Sequence, residues 1–504
     1  MSIEGLLLFT VLGGLAFLSR VLARIQAEVL PWYRDASLLF TLPWVVGAIA
    51  YLLPLFVYRE PLELRHVAFI ALCHLAVFVG AMTVRFLSGG ASPSLIHGAP
   101  AAVNPMVPDS GKLLWGLALA GLMGQVLICA GGMMSGEVSL IDRLSGDALE
   151  QTRLNNFLIG QVADAGGPFV RFNFLGSAAF VFLFMYVGGS VGRAEISATG
   201  KKALRLVALV GGLLIIFNAL FIRGGRMELA LLVMGCGFAA LLDEDRHFFN
   251  AARRWVGRAR VFWAVVAIAL SLSLVWYLAT GFTKSRIGTA SAYAAMEQYH
   301  RAKPSAWLEQ ATGGNASLEF AALNLSYLTV PTVTLGYYYD LPESLFPGPF
   351  FGQYNFTGPV TFAMRRVGLR DEQHTLQDIR LEVTRDLRMR GYGDNVWSTV
   401  LRDLALDVGW WGIPPTLLIV AGLIQKLLLR VGRTERGVLV ALAPLMILFL
   451  VFSAAHSLFV LESFAVALYM CLLITGWQFV EGRFQARHQP APRRFVNGRV
   501  PRAQ

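Results

Sequence analysis

Residues 67–86, VAFIALCHLAVFVGAMTVRF, form an apolar run in which Arg85 is the only charged side chain. A helix needs roughly 20 mostly apolar residues to cross the hydrocarbon core of a bilayer, so this run predicts a membrane-spanning helix. Further runs of the same character are Ile3–Leu18, Leu38–Val57, Leu113–Gly131, Phe169–Val187, Ala203–Phe221, Met227–Leu242, Val261–Gly281, Asp407–Leu429, Val438–Ala455 and Leu458–Val480. The sequence therefore predicts an all-α polytopic integral membrane protein with about eleven (11–12) transmembrane helices.

The composition excludes the other classes of protein. An ordinary soluble domain has about 25% charged residues, whereas this chain of 504 residues has 15%, with 56% hydrophobic residues and a mean hydropathy of +0.57. These charges are too few to cover a soluble enzyme. The four cysteines lie in apolar runs, where they fit small buried side chains, and their spacing suggests no disulfide scaffold and no metal or redox pair. We expect no cofactor.

The distribution of Lys and Arg predicts the orientation of the spans. The connections after spans 1, 3, 5, 7, 9 and 11 are much richer in basic residues than the short connections after spans 2, 4 and 6. Since basic residues stay in the cytoplasm, the N-terminus is expected outside and the C-terminal tail inside. We therefore assign the net charge of +11 to membrane orientation and expect no nucleic-acid partner.

The orientation map divides the chain into four parts. Residues 1–281 hold spans 1–8, 282–396 form a large periplasmic loop, 397–480 hold spans 9–11, and 481–504 form a basic cytoplasmic tail. In the loop, Asp371–Arg390 has the apolar spacing of an amphipathic helix. Ala321–Leu335 is apolar but short, and we interpret it as re-entrant or interfacial, with a twelfth span as the alternative.

The first candidate site is the turn between spans 6 and 7. It reads Arg223, Gly224, Gly225, Arg226, Met227, Glu228, and lies on the side where positive-inside predicts few arginines. Two guanidiniums beside close-approaching glycines and a helix N-terminus suit a diphosphate ligand. A pair of snorkelling interfacial side chains, or an Arg226–Glu228 contact without a ligand, is the alternative.

The second candidate site lies where the long loop enters span 9. Asp394 and Asn395 are followed by Arg402, Asp403 and Asp407 within DNVWSTVLRDLALDVGWWG. Charged residues at this depth are costly and are commonly functional, so these side chains are candidate site residues. An interfacial ion pair between Arg402 and Asp403 is the alternative.

Four other residues are weaker candidates for substrate binding. Arg286 and Arg380 are basic residues of the outer loop, and His456 lies in the outer turn between spans 10 and 11. Tyr338 belongs to a group of aromatic residues whose ring faces suit stacking on a substrate. Each of the four also fits an ordinary solvated or interfacial position.

The two motifs together resemble a known family. The segment FIRGGRMELALLVMG, then a large outer loop, then DNVWSTVLRDLALDVGWWG, is similar to the oligosaccharide repeat unit polymerases, the O-antigen polymerases. The resemblance covers about residues 223–430 and rests on the order, side and spacing of the motifs. The related O-antigen ligases have a histidine where Asp394 stands here, so this departure favours a polymerase and leaves the general base open.

The resemblance implies a fold like that of the integral-membrane glycosyltransferases of the C type, and their reaction. An acceptor hydroxyl would displace polyprenyl diphosphate from the anomeric carbon of a lipid-linked oligosaccharide, without a metal, at the outer face of the bacterial inner membrane. The partners would be lipid-linked donor and acceptor and the membrane lipids, and binding of a chain-length regulator stays open. An O-antigen ligase and a non-enzymatic flippase or transporter of lipid-linked glycans are the alternatives.

The orientation map makes a direct prediction. Cysteines introduced at Ser305 or Gln373 should react with an impermeant thiol reagent added from outside, because both positions lie in the predicted outer loop. Cysteines at Ser197 or Asn250 should stay unlabelled until the membrane is opened. Labelling with the opposite pattern would reject the map and move the candidate site to the wrong face.

Overall fold

The computed structural model describes residues 2–25, 31–89, 110–134, 168–194, 196–222, 226–243, 291–342, 348–355, 389, 399–431, 437–455 and 457–488. This part of the chain is mostly helical. Its elements in chain order are α1 (Ile3–Ile25), α2 (Ala36–Leu52), β1 (Phe56–Tyr58), α3 (Leu64–Gly89), α4 (Ser110–Met134), α5 (Pro168–Val187), α6 (Ser190–Arg193), α7 (Ala198–Phe217), α8 (Arg226–Leu242), α9 (Ala292–His300), β2 (Ala302–Pro304), α10 (Ala306–Thr312), α11 (Ala316–Ser326), α12 (Val330–Tyr339), α13 (Val400–Val408), α14 (Ile413–Arg430), α15 (Leu439–Val451) and α16 (Glu462–His488). A π-helical segment, Asn218–Ile222, follows α7.

The described helices are those of a membrane protein. Six are long and apolar enough to span a bilayer: Ile3–Leu22, Leu64–Ser88, Gly111–Gly131, Ala198–Leu220, Trp410–Arg430 and Ser463–Val480. Shorter apolar helices accompany them at Ala36–Leu52, Phe174–Val187, Met227–Leu242 and Leu439–Val451. The expected all-α membrane class is confirmed, whereas the predicted span Val261–Gly281 lies outside the described residues and the count of eleven stays a prediction.

The ninth predicted span begins later than expected. The sequence pattern starts it at Asp407, but the chain forms the separate short helix α13, breaks at Gly409, and begins the long helix only around Trp410. The helix ends at Gly409, whose φ of 70° is not helical. Residues with a Cβ rarely adopt this backbone conformation, so glycine suits the position. Arg402, Asp403 and Asp407 therefore lie on a helix of their own, beside the spanning helix.

The apolar segment 321–335 does not form one helix. It divides between α11 and α12, which are separated by the turn at residues 327–329. Pro331 lies in the first turn of α12, where a backbone N–H would have no hydrogen-bond partner within the helix. Proline, which lacks this N–H, is therefore tolerated there. Neither helix is long enough to span a membrane, and the predicted amphipathic helix 371–390 lies outside the described residues except for Met389.

Buried polar contacts join one end of the bundle, which we call the tail end because α16 ends there. Asp35 accepts a hydrogen bond from Ser19 Oγ at 2.6 Å and pairs with Arg85 Nη2 at 2.8 Å. The Gln425 side chain accepts from Ala36 N and donates to the backbone oxygen of Arg34, both at 3.0 Å. The ends of α1, α3 and α14 and the start of α2 therefore meet here.

The opposite end, which we call the loop end, carries the segments between the long helices. Here β1 pairs antiparallel with β2, with Val57 opposite Lys303. At the start of α3, His66 Nε2 lies 2.8 Å from Asp340 Oδ1, just after α12. Tyr339 packs against Trp410, the residue that opens the α14 region. The segment 291–342 is thus attached directly to the ends of the spanning helices.

Close helix packing supports this arrangement. A Cβ added to Gly80 of α3 would lie 2.1 Å from the backbone oxygen of Leu418 in α14, so only glycine fits there. A Cβ on Gly124 of α4 would lie 2.3 Å from the backbone nitrogen of Gly176 in α5. Small residues commonly let membrane helices approach this closely.

A second, small core lies at the loop end beneath the two-stranded sheet. It is formed by Leu55, Phe56, Ala292, Ala295, Met296, Ala302, Leu308, Phe320, Ala322 and Leu323. His300 is buried beside it, with Nδ1 at 2.7 Å from Ser326 Oγ and its ring against Tyr327. Burial lowers the pKa of His300 from 6.5 to about 4, so the imidazole is neutral at pH 7.

His300 should make this unit sensitive to acid. The unfolded chain binds a proton near the ordinary pKa and the folded unit does not, so stability is complete above pH 6.5 and falls as the pH drops towards 4. The loss should approach roughly 3 kcal/mol. Limited proteolysis of residues 291–326 at successive pH values should show it, and His300→Gln should flatten the dependence. Equal acid sensitivity in that variant would contradict the assignment.

Candidate functional site

Three charged residues of the second sequence motif, Arg402, Asp403 and Asp407, lie on α13. This nine-residue helix begins after Thr399, where Val400 N donates to the backbone oxygen of Ser453 at 2.8 Å. Its charged side chains face inward: Arg402 is 3% exposed, Asp403 0% and Asp407 1%. Because buried charges are costly unless they are paired, the partners of these three side chains define the site.

The Arg402 guanidinium lies between two aromatic rings. Its central carbon is 5.1 Å from the ring centre of Tyr338, in α12, and 5.9 Å from that of Tyr354. Its Nη2 is 2.8 Å from Asp403 Oδ1. Nε and Nη1 are fully buried and have no hydrogen-bond partner among the described residues. The guanidinium is therefore fixed in position, and Nε and Nη1 can still donate hydrogen bonds to another group.

Asp403 connects α13 to the segment before α16. Its Oδ2 accepts a hydrogen bond from Ser457 N at 2.9 Å, while Oδ1 faces Arg402. Its backbone oxygen accepts from Asn355 Nδ2 at 2.6 Å. Asp403 thus joins the 348–355 segment, α13 and the start of α16.

Asp407 is engaged by the segment 348–355. Its Oδ1 accepts from Tyr354 N, and its Oδ2 accepts from both Asn355 N and Asn355 Nδ2, each at 2.8 Å. Burial raises the pKa of Asp407 above its ordinary value, and these donors oppose the rise because they favour the carboxylate. Both oxygens are occupied, so Asp407 holds the segment in this arrangement.

Backbone contacts also attach this segment to α13. Phe350 N and Phe351 N donate to the backbone oxygens of Leu406 and Asp407, at 2.6 and 2.9 Å. Phe351 and Gly352 both have positive φ, 53° and 86°, which turns the chain back over the helix. Gly348 packs so closely on Leu406 that a Cβ would lie 2.6 Å from its backbone oxygen.

Four neutral polar atoms belong to the same neighbourhood. They are Gln353 Oε1, Asn355 Oδ1, Thr399 Oγ1 and Ser457 Oγ, each buried and without a hydrogen-bond partner within the described ranges. Buried polar atoms are nearly always hydrogen-bonded, to protein, water or ligand. Together with Nε and Nη1 of Arg402, these are the polar atoms of this neighbourhood that water or a polar ligand could satisfy.

The start of α8 lies at the same end of the fold as α13. Glu228 Oε1 accepts a hydrogen bond from Ser463 Oγ at 3.3 Å, in the first turn of α16. Six residues earlier, Ser457 N donates to Asp403. The segment 457–463 therefore links the helix opened by the first sequence motif with the helix that carries the second.

The structure describes only some of the predicted site residues. Asp403 and Tyr338 contact the Arg402 guanidinium, and Asp407 is joined to this group through the 348–355 segment. Glu228 is linked to Asp403 through 457–463. Tyr338 is fully buried with its ring towards Arg402, so a sugar cannot stack on it in this arrangement. The other predicted residues lie outside the described part: Arg223, Gly224, Gly225, Arg286, Arg380, Asp394, Asn395 and His456. Arg226 is described only as the first residue of α8.

Sequence reasoning missed Asn355, Gln353 and Ser457. These are small polar residues in loop segments, without periodicity or motif spacing to distinguish them. The only signal is indirect. The amide side chains of Gln353 and Asn355 follow the apolar pair Phe350 and Phe351, and a buried amide needs hydrogen-bond partners from elsewhere in the chain. Their role becomes visible only in the folded chain.

The comparisons with known proteins add no assignment. No family model, curated protein or solved structure matches this chain. Within the described ranges, no group of three or more His, Cys, Asp or Glu side chains is arranged to hold a metal ion. The functional argument therefore rests on the residues of the site.

The link between the two motifs can be tested by cross-linking. Glu228→Cys combined with Ser463→Cys should be joined rapidly by a short bis-methanethiosulfonate reagent, which reacts with two thiols, since Glu228 Oε1 and Ser463 Oγ are 3.3 Å apart. Glu228→Cys combined with Ser197→Cys, which lies at the start of α7, is the matched control and should not react. Absence of cross-linking in the first pair, or equal cross-linking in both pairs, would contradict the contact between Glu228 and Ser463 that links the two motifs.

Proposed function

We propose that this protein is a membrane glycosyltransferase that polymerises polyprenyl-diphosphate-linked oligosaccharide repeat units. The product would be a surface polysaccharide or O-antigen, made at the periplasmic face of the bacterial inner membrane. The observation that carries the proposal is the buried Arg402 guanidinium, which keeps two nitrogens free of hydrogen bonds among the described residues. The resemblance of the two sequence motifs supplies the reaction class.

The site suits an anionic leaving group. A guanidinium offers paired donors that match phosphate oxygens, and it stays charged when buried. Arg402 is oriented by Tyr338 and Asp403, which fix the guanidinium before charge develops on a ligand. Arg223 and Arg226 are proposed to complete the diphosphate site from the start of α8.

The position of the site in the bundle supports a lipid-linked substrate. Trp411, at the start of α14, is 81% exposed, and Phe351 beside α13 is 65% exposed. Exposed large aromatics at the end of a spanning helix are typical of the bilayer interface. A diphosphate at headgroup depth would reach Arg402 from there, with its glycan directed towards the periplasm.

The proposed reaction is a displacement at the anomeric carbon. A hydroxyl of the acceptor repeat unit forms the new glycosidic bond while the bond to the diphosphate breaks. Polyprenyl diphosphate leaves with the electron pair, and arginines stabilise its charge. The hydroxyl proton passes to a carboxylate, for which Asp394 is the proposed base, while Asp403 and Asp407 are engaged by Arg402 and the 348–355 segment.

Reconstituted protein tests the proposal. Purified protein in liposomes, supplied with lipid-linked repeat units, should produce a ladder of lipid-linked polymer. A lipid A core supplied as the only acceptor should remain unmodified, which distinguishes a polymerase from a ligase. Transport of the lipid-linked unit without any extension would instead favour the flippase alternative and overturn the proposal.

Arginine variants should separate charge from geometry. Arg223→Ala and Arg226→Ala should each lower the polymerisation rate roughly 10²–10³-fold, because a desolvated phosphate contact is worth a few kcal/mol in the transition state. Arg226→Lys and Arg402→Lys should recover only part of the rate, since an ammonium cannot replace a bidentate fork.

Arg65→Ala is the matched control for these variants. Arg65 lies at the same end of the fold and contacts Glu63 and Asp340, but it is largely exposed. Its removal should leave polymerisation near the wild-type rate, because exposed ion pairs contribute little. Wild-type polymer from both alanine variants of the first motif would remove the diphosphate role.

A further inference from the structure

We infer that residues 348–355 form a strap latched by Asp407 and Asn355 over Arg402, and that a ligand reaches this arginine only when the strap is released. The inference rests on the proposed function for the identity of the ligand, but not for the latch itself. It assigns Asp407 as a positioning residue, which acts on substrate access through the strap.

The strap has an outer and an inner side. Phe351 is 65% exposed, whereas Gln353, Tyr354 and Asn355 are buried. The inner side supplies the Tyr354 ring beside Arg402 and the Asn355 amide that bridges Asp403 and Asp407. The strap is therefore one wall of the Arg402 site.

Asp407 is the main side-chain anchor of this wall. One carboxylate accepts two backbone N–H groups and one side-chain amide from consecutive residues of the strap. Hydrogen bonds to a charged acceptor are about twice as strong as neutral ones. A single side chain therefore holds the inner side of the strap against α13.

The arrangement is closed to any ligand of the size of a diphosphate. Nε and Nη1 of Arg402 have almost no solvent-accessible surface, although no described residue bonds to them. The opposite wall is Tyr338, which belongs to α12, and the next residue packs between Phe69 and Trp410. Since that wall is fixed to two spanning helices, the strap is the wall that can move.

A cysteine on the inner side of the strap reports its release. Gln353→Cys is suitable because Gln353 is buried and its Oε1 has no partner within the described ranges. The full-length protein in nanodiscs is treated with a charged maleimide. Mass spectrometry then gives the labelling rate of each cysteine separately, including the one at position 353. The native buried Cys73 and Cys471 in the same molecules report global unfolding.

Weakening the latch should raise this rate selectively. Asp407→Asn places an amide against backbone donors, and Asn355→Ala removes the bridge to Asp403, so each should increase labelling of Gln353→Cys roughly tenfold or more. Asp340→Asn is the control, because Asp340 lies at the same end but bonds to His66 and Arg65. Labelling at Cys73 and Cys471 should not change.

Two results would overturn the latch. One is a Gln353→Cys rate in Asn355→Ala that equals the parent rate. The other is a rise that Cys73 and Cys471 share in both latch variants, since the change would then be general unfolding. If Asp407→Asn alone loosens the whole protein, the Asn355→Ala rate decides.

Inorganic pyrophosphate separates the latch from the proposed ligand. In the parent, pyrophosphate should raise the labelling rate of Gln353→Cys, because binding to Arg402 favours the released strap. Arg402→Lys should weaken this response. A third outcome is that Asp407→Asn and Asn355→Ala raise the labelling rate of Gln353→Cys, but pyrophosphate does not change this rate in the protein without latch substitutions. That outcome would support the latch and reject the diphosphate ligand.

Discussion

The ion pair between Asp35 and Arg85 is the contact on which the bundle depends. Both side chains are buried at the tail end, and their atoms are 2.8 Å apart. Asp35 also accepts from Ser19 in α1 and from Leu38 N at the start of α2. Removing one partner of a buried ion pair costs about 3–5 kcal/mol, because the other charge is left unpaired. The pair therefore joins α1, α2 and α3 in one arrangement.

The same constraint shapes the loop end. The short helix α13 carries Arg402, Asp403 and Asp407, and it would be costly to bury without partners from outside the helix. The 348–355 strap, the Tyr338 ring and Ser457 N provide those partners. The residues with the chemistry are also the residues that hold the strap, α13 and the start of α16 together. Loss of function in a single variant is therefore informative only beside a measure of folding.

The proposed function places two requirements on the site that are difficult to meet together. A glycosyltransferase acting on a lipid diphosphate needs cations at headgroup depth, and those cations must be kept from competing water and ions. In the described arrangement Arg402 is buried and oriented, and two of its nitrogens have no hydrogen-bond partner among the described residues. A strap that opens for the ligand reconciles a protected arginine with a bulky substrate, and it gives Asp407 a role other than proton transfer.

The sequence by itself determined the class of the protein and the approximate positions of its helices. Apolar runs of about twenty residues have no stable alternative to spanning helices, so Val67–Phe86 and Leu113–Gly131 fall within α3 and α4. It also singled out Arg402, Asp403 and Asp407, because charges beside a spanning segment are conspicuous. The tertiary structure decided their partners. Asn355 reaches Asp407 across 52 positions and Ser457 reaches Asp403 across 54. Such contacts follow from the packing of distant elements, which leaves no periodic trace in the chain. Only the fold shows that both carboxylate oxygens of Asp407 are hydrogen-bonded, whereas Nε and Nη1 of Arg402 have no hydrogen-bond partner among the described residues.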